Sequence, residues 1–261
     1  MSASDHMLEV EGLVMSFGQL RALDEVHLTV RRGKITGLIG PNGSGKTTLF
    51  NAVSGFLAPD AGAVRFDGRD ITGSPTYRLA RMGLKRTFQN IADFTDMSVM
   101  QNLLAGVRAN PGEHLWRLFT SRREVASGEH DLERRAWQLL DRMGLTALAN
   151  TRAGDLSIGQ GRLVQIARLL MDPPSLLMLD EPSSGLNPED QQRLSATVRG
   201  LRDEEGMTVL VIEHNMSFMN AICDALYVMH DGRVIANGPP AEVIRDPLVI
   251  ETYLGVRSAS A

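Results

Sequence analysis

Apolar and polar positions follow two different periods along this chain, and the change of period divides it. Leu8–Val14 and Val26–Val30 carry short alternating runs, with Gly18 and Arg32-Gly33 marking breaks, which predicts paired strands. Ile35–Ile39 is a short apolar run that ends in a glycine-rich loop, and a helix is predicted from Lys46 to about Ser54, stopped near Gly55 and Pro59. Val64–Phe66 followed by Asp67-Gly68 reads as strand and turn. From about Thr87 to Met171 the texture is Arg, Leu, Met and Ala at helical spacing, which predicts a helical lobe inserted in an α/β core. Alternation then returns. Ser175–Leu179 and Thr208–Ile212 read as strands, Pro188–Arg202 and Met216–Ala225 as helices, and Leu226–Met229 with Val234–Ala236 as a hairpin around His230-Asp231-Gly232-Arg233. No internal repeat is evident, so the chain is read as one unit and not a tandem pair.

Asn187 followed by Pro188-Glu189-Asp190 is a helix start: Asn caps, Pro suits the first helical position, and the acids complement the positive helix end. This puts Leu179–Asn187 in a strand-to-helix crossover, where α/β proteins commonly hold ligands.

Composition narrows the classes. The 261 residues are 43% hydrophobic and 22% charged, ordinary for a globular protein. A formal charge of −4 argues against a general nucleic-acid binder, which needs a basic stripe. With Cys223 alone, no internal disulfide and no cysteine metal cluster can form, as expected in a reducing cytoplasm. Met1–His6 lacks the basic and apolar blocks of a signal peptide, and no apolar run approaches the roughly 18–20 residues that span a bilayer, so a membrane role is expected to run through a partner. Ser258–Ala261 is expected to be a frayed tail.

Gly40-Pro41-Asn42-Gly43-Ser44-Gly45-Lys46-Thr47 matches G-x-x-x-x-G-K-[ST] in full. Glycines let backbone N–H groups turn inward around phosphate oxygens, Lys46 is placed to reach the β- and γ-phosphates, and the Thr47 hydroxyl suits Mg²⁺. The following helix offers its positive end to the same anion. A chance match arises on the order of once per hundred chains of this length; the flanking strand and helix make it rarer. The pattern therefore predicts an ATP and Mg²⁺ site. Leu176–Asp180 followed by Glu181 has the form of an apolar strand ending in carboxylates, with Asp180 suited to hold the metal through water and Glu181 to polarise an attacking water. Ser157 and Gln160 form an S-x-x-Q capping box that opens a helix, a second anion-binding surface.

The ordered set resembles the ATP-binding cassette (ABC) ATPases over essentially the whole chain: the phosphate loop, Thr87-Phe88-Gln89-Asn90, Leu156-Ser157-Ile158-Gly159-Gln160, Asp180-Glu181, then His214. The resemblance implies an α/β P-loop NTPase fold, with a RecA-like core, an antiparallel β subdomain and an inserted helical subdomain. It implies one ATP-binding domain over 8–255: a core of about 8–86 and 172–238, a helical part of about 87–171, and an extension over 239–261. By position, Gly40, Pro41, Asn42, Gly43, Ser44, Gly45, Lys46, Thr47 and Thr48 would hold phosphates, and Thr47, Gln89 and Asp180 the metal. Gln89 would sense the γ-phosphate, Glu181 would be the general base, and His214 the switch residue. Ser157, Gly159 and Gln160 would close on ATP held by an opposite subunit, and Ser184–Asn187 would fall at the dimer interface. Phe17 reads either as an adenine-stacking ring or as a core or strand-end aromatic. Two residues depart from the common pattern: Ile158 replaces the first glycine of the signature, and Asn187 stands where many members carry Asp.

Within the family, Gly83–Gln89, Met97–Leu104, Ile212–Met216, Ala236–Pro240 and Val249–Gly255 are similar to the ATPases of branched-chain (hydrophobic) amino-acid and amide importers. The segment Pro111–Trp137 makes the chain resemble the longer of the two paired ATPases; its His114–Phe119 stretch, followed by Ser121-Arg122-Arg123, reads either as a contact for a permease or membrane surface or, as the nearby acids that offset its basic residues favour, as a solvent-facing helix covering the helical lobe. The resemblance implies permease subunits, a second ATPase, an indirectly linked solute-binding protein, and a place on the cytoplasmic face of the inner (plasma) membrane, with amino acids, amides and urea all open as cargo. The rivals are a non-transport ABC ATPase acting on nucleic acid or in translation, which would carry coiled-coil arms or a second cassette, and a regulatory subunit without hydrolysis, against which Lys46, Gln89, Glu181 and His214 stand.

Overall fold

A computed structural model describes residues 5–87, 94–107 and 122–254, with 122–129, 253 and 254 described by backbone alone. Two compact units emerge. One comprises the described parts of Met1–Arg86, Ser175–Ser184 and Val198–Ala261; the other those of Thr87–Pro174 and Gly185–Thr197.

The first unit holds two sheets. β1 (His6–Phe17), β2 (Leu20–Arg31), β4 (Ala61–Phe66) and β5 (Arg69–Asp70) form an antiparallel sheet in the order β2-β1-β4-β5. β3 (Ile35–Ile39), β6 (Leu84–Arg86), β7 (Leu176–Asp180), β8 (Thr208–Ile212), β9 (Ala225–His230) and β10 (Arg233–Gly238) form the other, in the order β10-β9-β3-β8-β7-β6. It is parallel except for the β9–β10 hairpin. Every residue of β3, β7 and β8 is buried, as a covered parallel sheet requires, so these strands read as near-continuous apolar runs broken only by Thr36, Asp180 and Thr208. One core joins the sheets through Leu8, Leu13, Leu28, Leu38, Met178 and Leu210, with Leu49 and Phe50 from helix Lys46–Val53. Each such side chain contributes about 1.5–3 kcal/mol by leaving water.

The expected elements differ from the observed ones where geometry breaks the period. β1 and β2 run longer than Leu8–Val14 and Val26–Val30, because their pairing shifts register between Val10 and Leu13 and again between Leu13 and Met15. Each such bulge moves the following side chains to the other face, and the alternation resets. The helix expected over Met216–Ala225 ends at Ile222; Ala225 instead pairs with Thr36 and starts β9.

The second unit is mainly helical. Val99–Leu104, Arg122–Arg142 and Ile158–Leu170 are its principal helices, and the start of Pro188–Glu205 belongs to it. Ser98 and Ser157 each open a helix with a full capping box.

Candidate nucleotide site

β3 ends at Ile39, and the chain turns through Gly40–Gly45 into helix Lys46–Val53. Two glycines are required by close approach. A Cβ at Gly40 would stand 2.3 Å from the Met229 carbonyl oxygen, and one at Gly45, where φ is 99°, would stand 2.5 Å from that of Ala22. The loop is thus seated on the β9 strand and the β1–β2 hairpin. The Gly232 N–H donates to the Ser44 carbonyl at 3.1 Å, which ties the β9–β10 turn to it as well.

Lys46 lies inside this loop. Its Nζ donates to the Gly40 and Pro41 carbonyls, each at 2.8 Å. Burial holds its pKa below the ordinary 10.5, against the opposing attraction of Glu181. A cationic donor beside a glycine-rich turn at the start of a helix is the arrangement an anionic phosphate chain fits.

Beside the loop opens a cavity of about 450 Å³. The loop and its helix supply Asn42, Gly43 and Gly45–Thr48, and the β1–β2 hairpin supplies Phe17, Leu20 and Arg21. Asp231 and Gly232 close one side, and Glu181 reaches it from the end of β7. Phe17, the last residue of β1, is 51% exposed and lines the cavity. Glu181 sits at φ 44°, in the left-handed region that a non-glycine residue rarely enters. Its N–H donates to the Ile212 carbonyl at 3.0 Å, and its own carbonyl accepts from Ser184 at 3.2 Å, so the backbone is held there from both sides.

Asp180 and His214 do not line the cavity. Asp180 is buried, with Oδ2 accepting from Arg86 Nη2 at 2.6 Å. His214 follows β8, its imidazole 60% exposed and its backbone N–H donating to Glu213 Oε2 at 3.0 Å. Gln89, and His114–Phe119, lie outside the described residues.

In the second unit, Ser157 Oγ accepts the Gln160 N–H at 3.2 Å and Gln160 Oε1 accepts the Ser157 N–H at 3.0 Å. Gly159 is buried against Asp190, whose carboxylate a Cβ there would meet at 2.6 Å, while Ile158 stands 53% exposed. Asn187 Nδ2 donates to Asp190 Oδ2 at 3.0 Å and Asn187 Oδ1 accepts the Asp190 N–H at 2.8 Å.

Several contributors to the first unit's site escaped the sequence reading, among them Arg21, Asp231, Arg86 and Glu213. Asp231 was visible only as a hairpin turn, and Arg21 fell between the two expected strands, in what the structure shows as the start of β2. Arg86 and Glu213 each stand directly beside a motif, and nothing in the one-dimensional pattern distinguishes a buried partner from a solvated charge.

Comparison with known proteins agrees with this geometry. A family model described as ABC transporter matches residues 23–184, and one described as branched-chain amino acid ATP-binding cassette transporter matches residues 233–259. The high-affinity branched-chain amino acid transport ATP-binding protein BraF of Pseudomonas aeruginosa is 40% identical, over 95% of this chain and 98% of its own. The corresponding LivG of Escherichia coli (strain K12) is 38% identical, over 97% of this chain and 99% of its own. Among solved structures, the ADP conformation of an ATP-binding cassette of an ABC transporter superposes with a TM-score of 0.83 at 38% identity, covering 96% of this chain and 99% of that one. A nucleotide-free ATP-binding cassette from an ABC transporter gives 0.82 at 38% identity, covering 96% and 100%. With a cavity on the phosphate loop and similarity along nearly its whole length, the chain belongs to the ABC transporter family, as a nucleotide-binding cassette ATPase.

Proposed function

We propose that this chain is the ATP-hydrolysing motor subunit of an importer for branched-chain amino acids or related amides. The cavity that brings Lys46, Thr47 and Glu181 together carries the chemistry, and near-full-length similarity to BraF and LivG carries the cargo. The first unit is the nucleotide-holding core of one cassette over 8–255, and the second its helical part.

Each residue's role follows from its chemistry. The loop amides and Lys46 bind the phosphate chain of ATP, and Phe17 stacks on the base. Glu181, on the cavity wall, accepts a proton on its carboxylate from the attacking water. His214 and Gln89 contact the γ-phosphate. Ser157, Gly159 and Gln160 present a capped helix N-terminus that suits the phosphates of ATP on a second ATPase subunit. The Thr47 hydroxyl and the Asp180 carboxylate are hard oxygen donors of the kind that suit Mg²⁺, which when bound would offset phosphate charge.

In this reading the chain is attached at the cytoplasmic face through permease subunits; among the described residues no helix is long and apolar enough to cross a membrane. Exported solute-binding protein would deliver cargo on the far side.

The test is affinity purification from detergent-solubilised membranes, then reconstitution of the recovered complex in vesicles. Permeases and a paired ATPase should copurify, and leucine should drive uptake coupled to phosphate release. Uptake of urea or acetamide with none of leucine would move the cargo to amides. Recovery of ribosomes or DNA ends without permeases would overturn the transport reading.

A further inference from the structure

Arg86 ends β6, and its guanidinium is buried among residues of the nucleotide site's foundation. Nη2 donates to Asp180 Oδ2 at 2.6 Å, and Nη1 donates to Asn51 Oδ1 at 2.7 Å and Ser54 Oγ at 3.0 Å. The guanidinium carbon lies 5.3 Å from the Phe50 ring centroid and 5.8 Å from that of Phe56. The Arg86 and Asp180 side chains are 8% and 4% exposed.

A buried ion pair is by itself weak evidence for a role, since apolar residues of the same volume often replace one without loss. What distinguishes this one is where its ends lie. Asp180 immediately precedes Glu181 of the cavity wall, and Phe50 and Asn51 belong to the helix that begins with Lys46 and Thr47. One planar fork therefore fixes the strand-end carboxylate to the helix that carries the phosphate-binding lysine and the threonine hydroxyl. A carboxylate turns freely about two side-chain bonds, and a charge-assisted hydrogen bond to one oxygen removes that freedom. Lysine, a point charge on a flexible stem, cannot reproduce both directions of the fork.

We propose that Arg86 is a positioning residue for the metal step: by holding Oδ2 it orients Asp180 toward the Thr47 helix and so sets the site's demand for Mg²⁺, without touching nucleotide. This rests on the reading of Asp180 as the metal carboxylate. Outer partners of metal ligands are worth about 10–100-fold in metal affinity.

The experiment is binding of a fluorescent ATP analogue to the purified full-length chain, titrated with Mg²⁺ and repeated in EDTA. Arg86→Met should raise the Mg²⁺ concentration for half-maximal metal-dependent binding by about tenfold, leave binding in EDTA unchanged, and be only partly rescued in Arg86→Lys. Asn51→Ala, which removes one anchor of the fork and keeps both charges, should give a smaller rise; if Arg86→Met does not fold, Asn51→Ala and Arg86→Lys decide. Unchanged Mg²⁺ demand in these variants, or equal weakening with and without the metal, overturns the proposal. Asp180→Asn separates the two layers: if it too leaves Mg²⁺ demand unchanged, the metal reading of Asp180 fails first, whereas a shift in Asp180→Asn with none in Arg86→Met removes Arg86 alone.

Discussion

The Glu213 carboxylate accepts the Ser183 backbone N–H at 2.6 Å, joining the end of β8 to the turn that follows Glu181. Its other oxygen accepts the N–H groups of His214 at 3.0 Å and Asn215 at 3.4 Å. Glu213 is fully buried, so one carboxylate organises two segments that carry the candidate base and the candidate switch histidine. In Glu213→Gln one acceptor oxygen becomes an NH₂ facing N–H donors. That leaves a buried donor unmatched and should lower unfolding stability by about 1–3 kcal/mol, read from urea denaturation. Turnover should fall by about tenfold or more, because small misplacements of catalytic groups are costly. Stability and turnover both at parental levels would mean the shared carboxylate organises nothing.

Asn187 departs from the acid that many ABC cassettes carry, and its surroundings give the reason. Its Nδ2–H donates to the carboxylate of Asp190, which packs against Gly159 of the signature helix. An Asp there still caps the Asp190 N–H but sets a second carboxylate where the donor was. Asn187→Asp should lose about 0.5 kcal/mol at low salt, with the difference shrinking in 1 M salt as screening tightens. Asn187→Ala, which loses the cap altogether, should lose about 1 kcal/mol at any ionic strength. Denaturation midpoints of the two variants at both salt levels check this; an Asn187→Asp chain matching the parent at low salt would leave the contact without energetic weight.

The parts of this protein legible in its sequence are those whose chemistry is local. The phosphate loop needs glycines and a lysine at fixed spacing, the signature helix needs Ser157 and Gln160 three apart, and fully buried strands such as β8 are apolar at all but one position. What the sequence hid depends on partners far away in the chain. Arg86 and Asp180 are 94 residues apart and Glu213 and Ser183 are 30 apart, and neither separation has a periodic signal. Phe17 stayed ambiguous because a strand-end aromatic faces core or cavity according to the hairpin's twist, and β1 and β2 outran their alternating runs because bulges reset the face.

Lys46 makes the nucleotide-free protein's stability depend on pH. Burial lowers its pKa from 10.5, outweighing the attraction of Glu181. The folded chain therefore releases this proton at lower pH than the unfolded chain. Across the window from that lowered value up to 10.5 the unfolded state holds more protons, so stability rises with pH; below the window the buried charge counts against the fold in full. Urea unfolding of the parent and Lys46→Met over the alkaline range should differ in slope, with the parent gaining stability relative to the variant as pH rises. Parallel slopes would show that Lys46 titrates alike in both states.

Glu181 combines a backbone in the left-handed region, at φ 44°, with a side chain on the cavity wall. Held there by the hydrogen bonds to Ile212 and from Ser184, it carries strain of the kind that clusters at functional sites. Two substitutions separate strain from chemistry. Glu181→Ala and Glu181→Gly both remove the carboxylate, but only glycine adopts this backbone freely. The glycine variant should be the more stable of the two by about 1 kcal/mol, even though glycine raises the entropy of the unfolded chain. Glu181→Gln keeps both shape and strain, so its denaturation midpoint should match the parent while turnover drops by roughly 10²–10⁴-fold with ATP still bound. Equal stability of the alanine and glycine variants would remove the strain, and near-parental turnover in Glu181→Gln would remove the carboxylate as base; because the two outcomes are measured separately, either property can fail without the other.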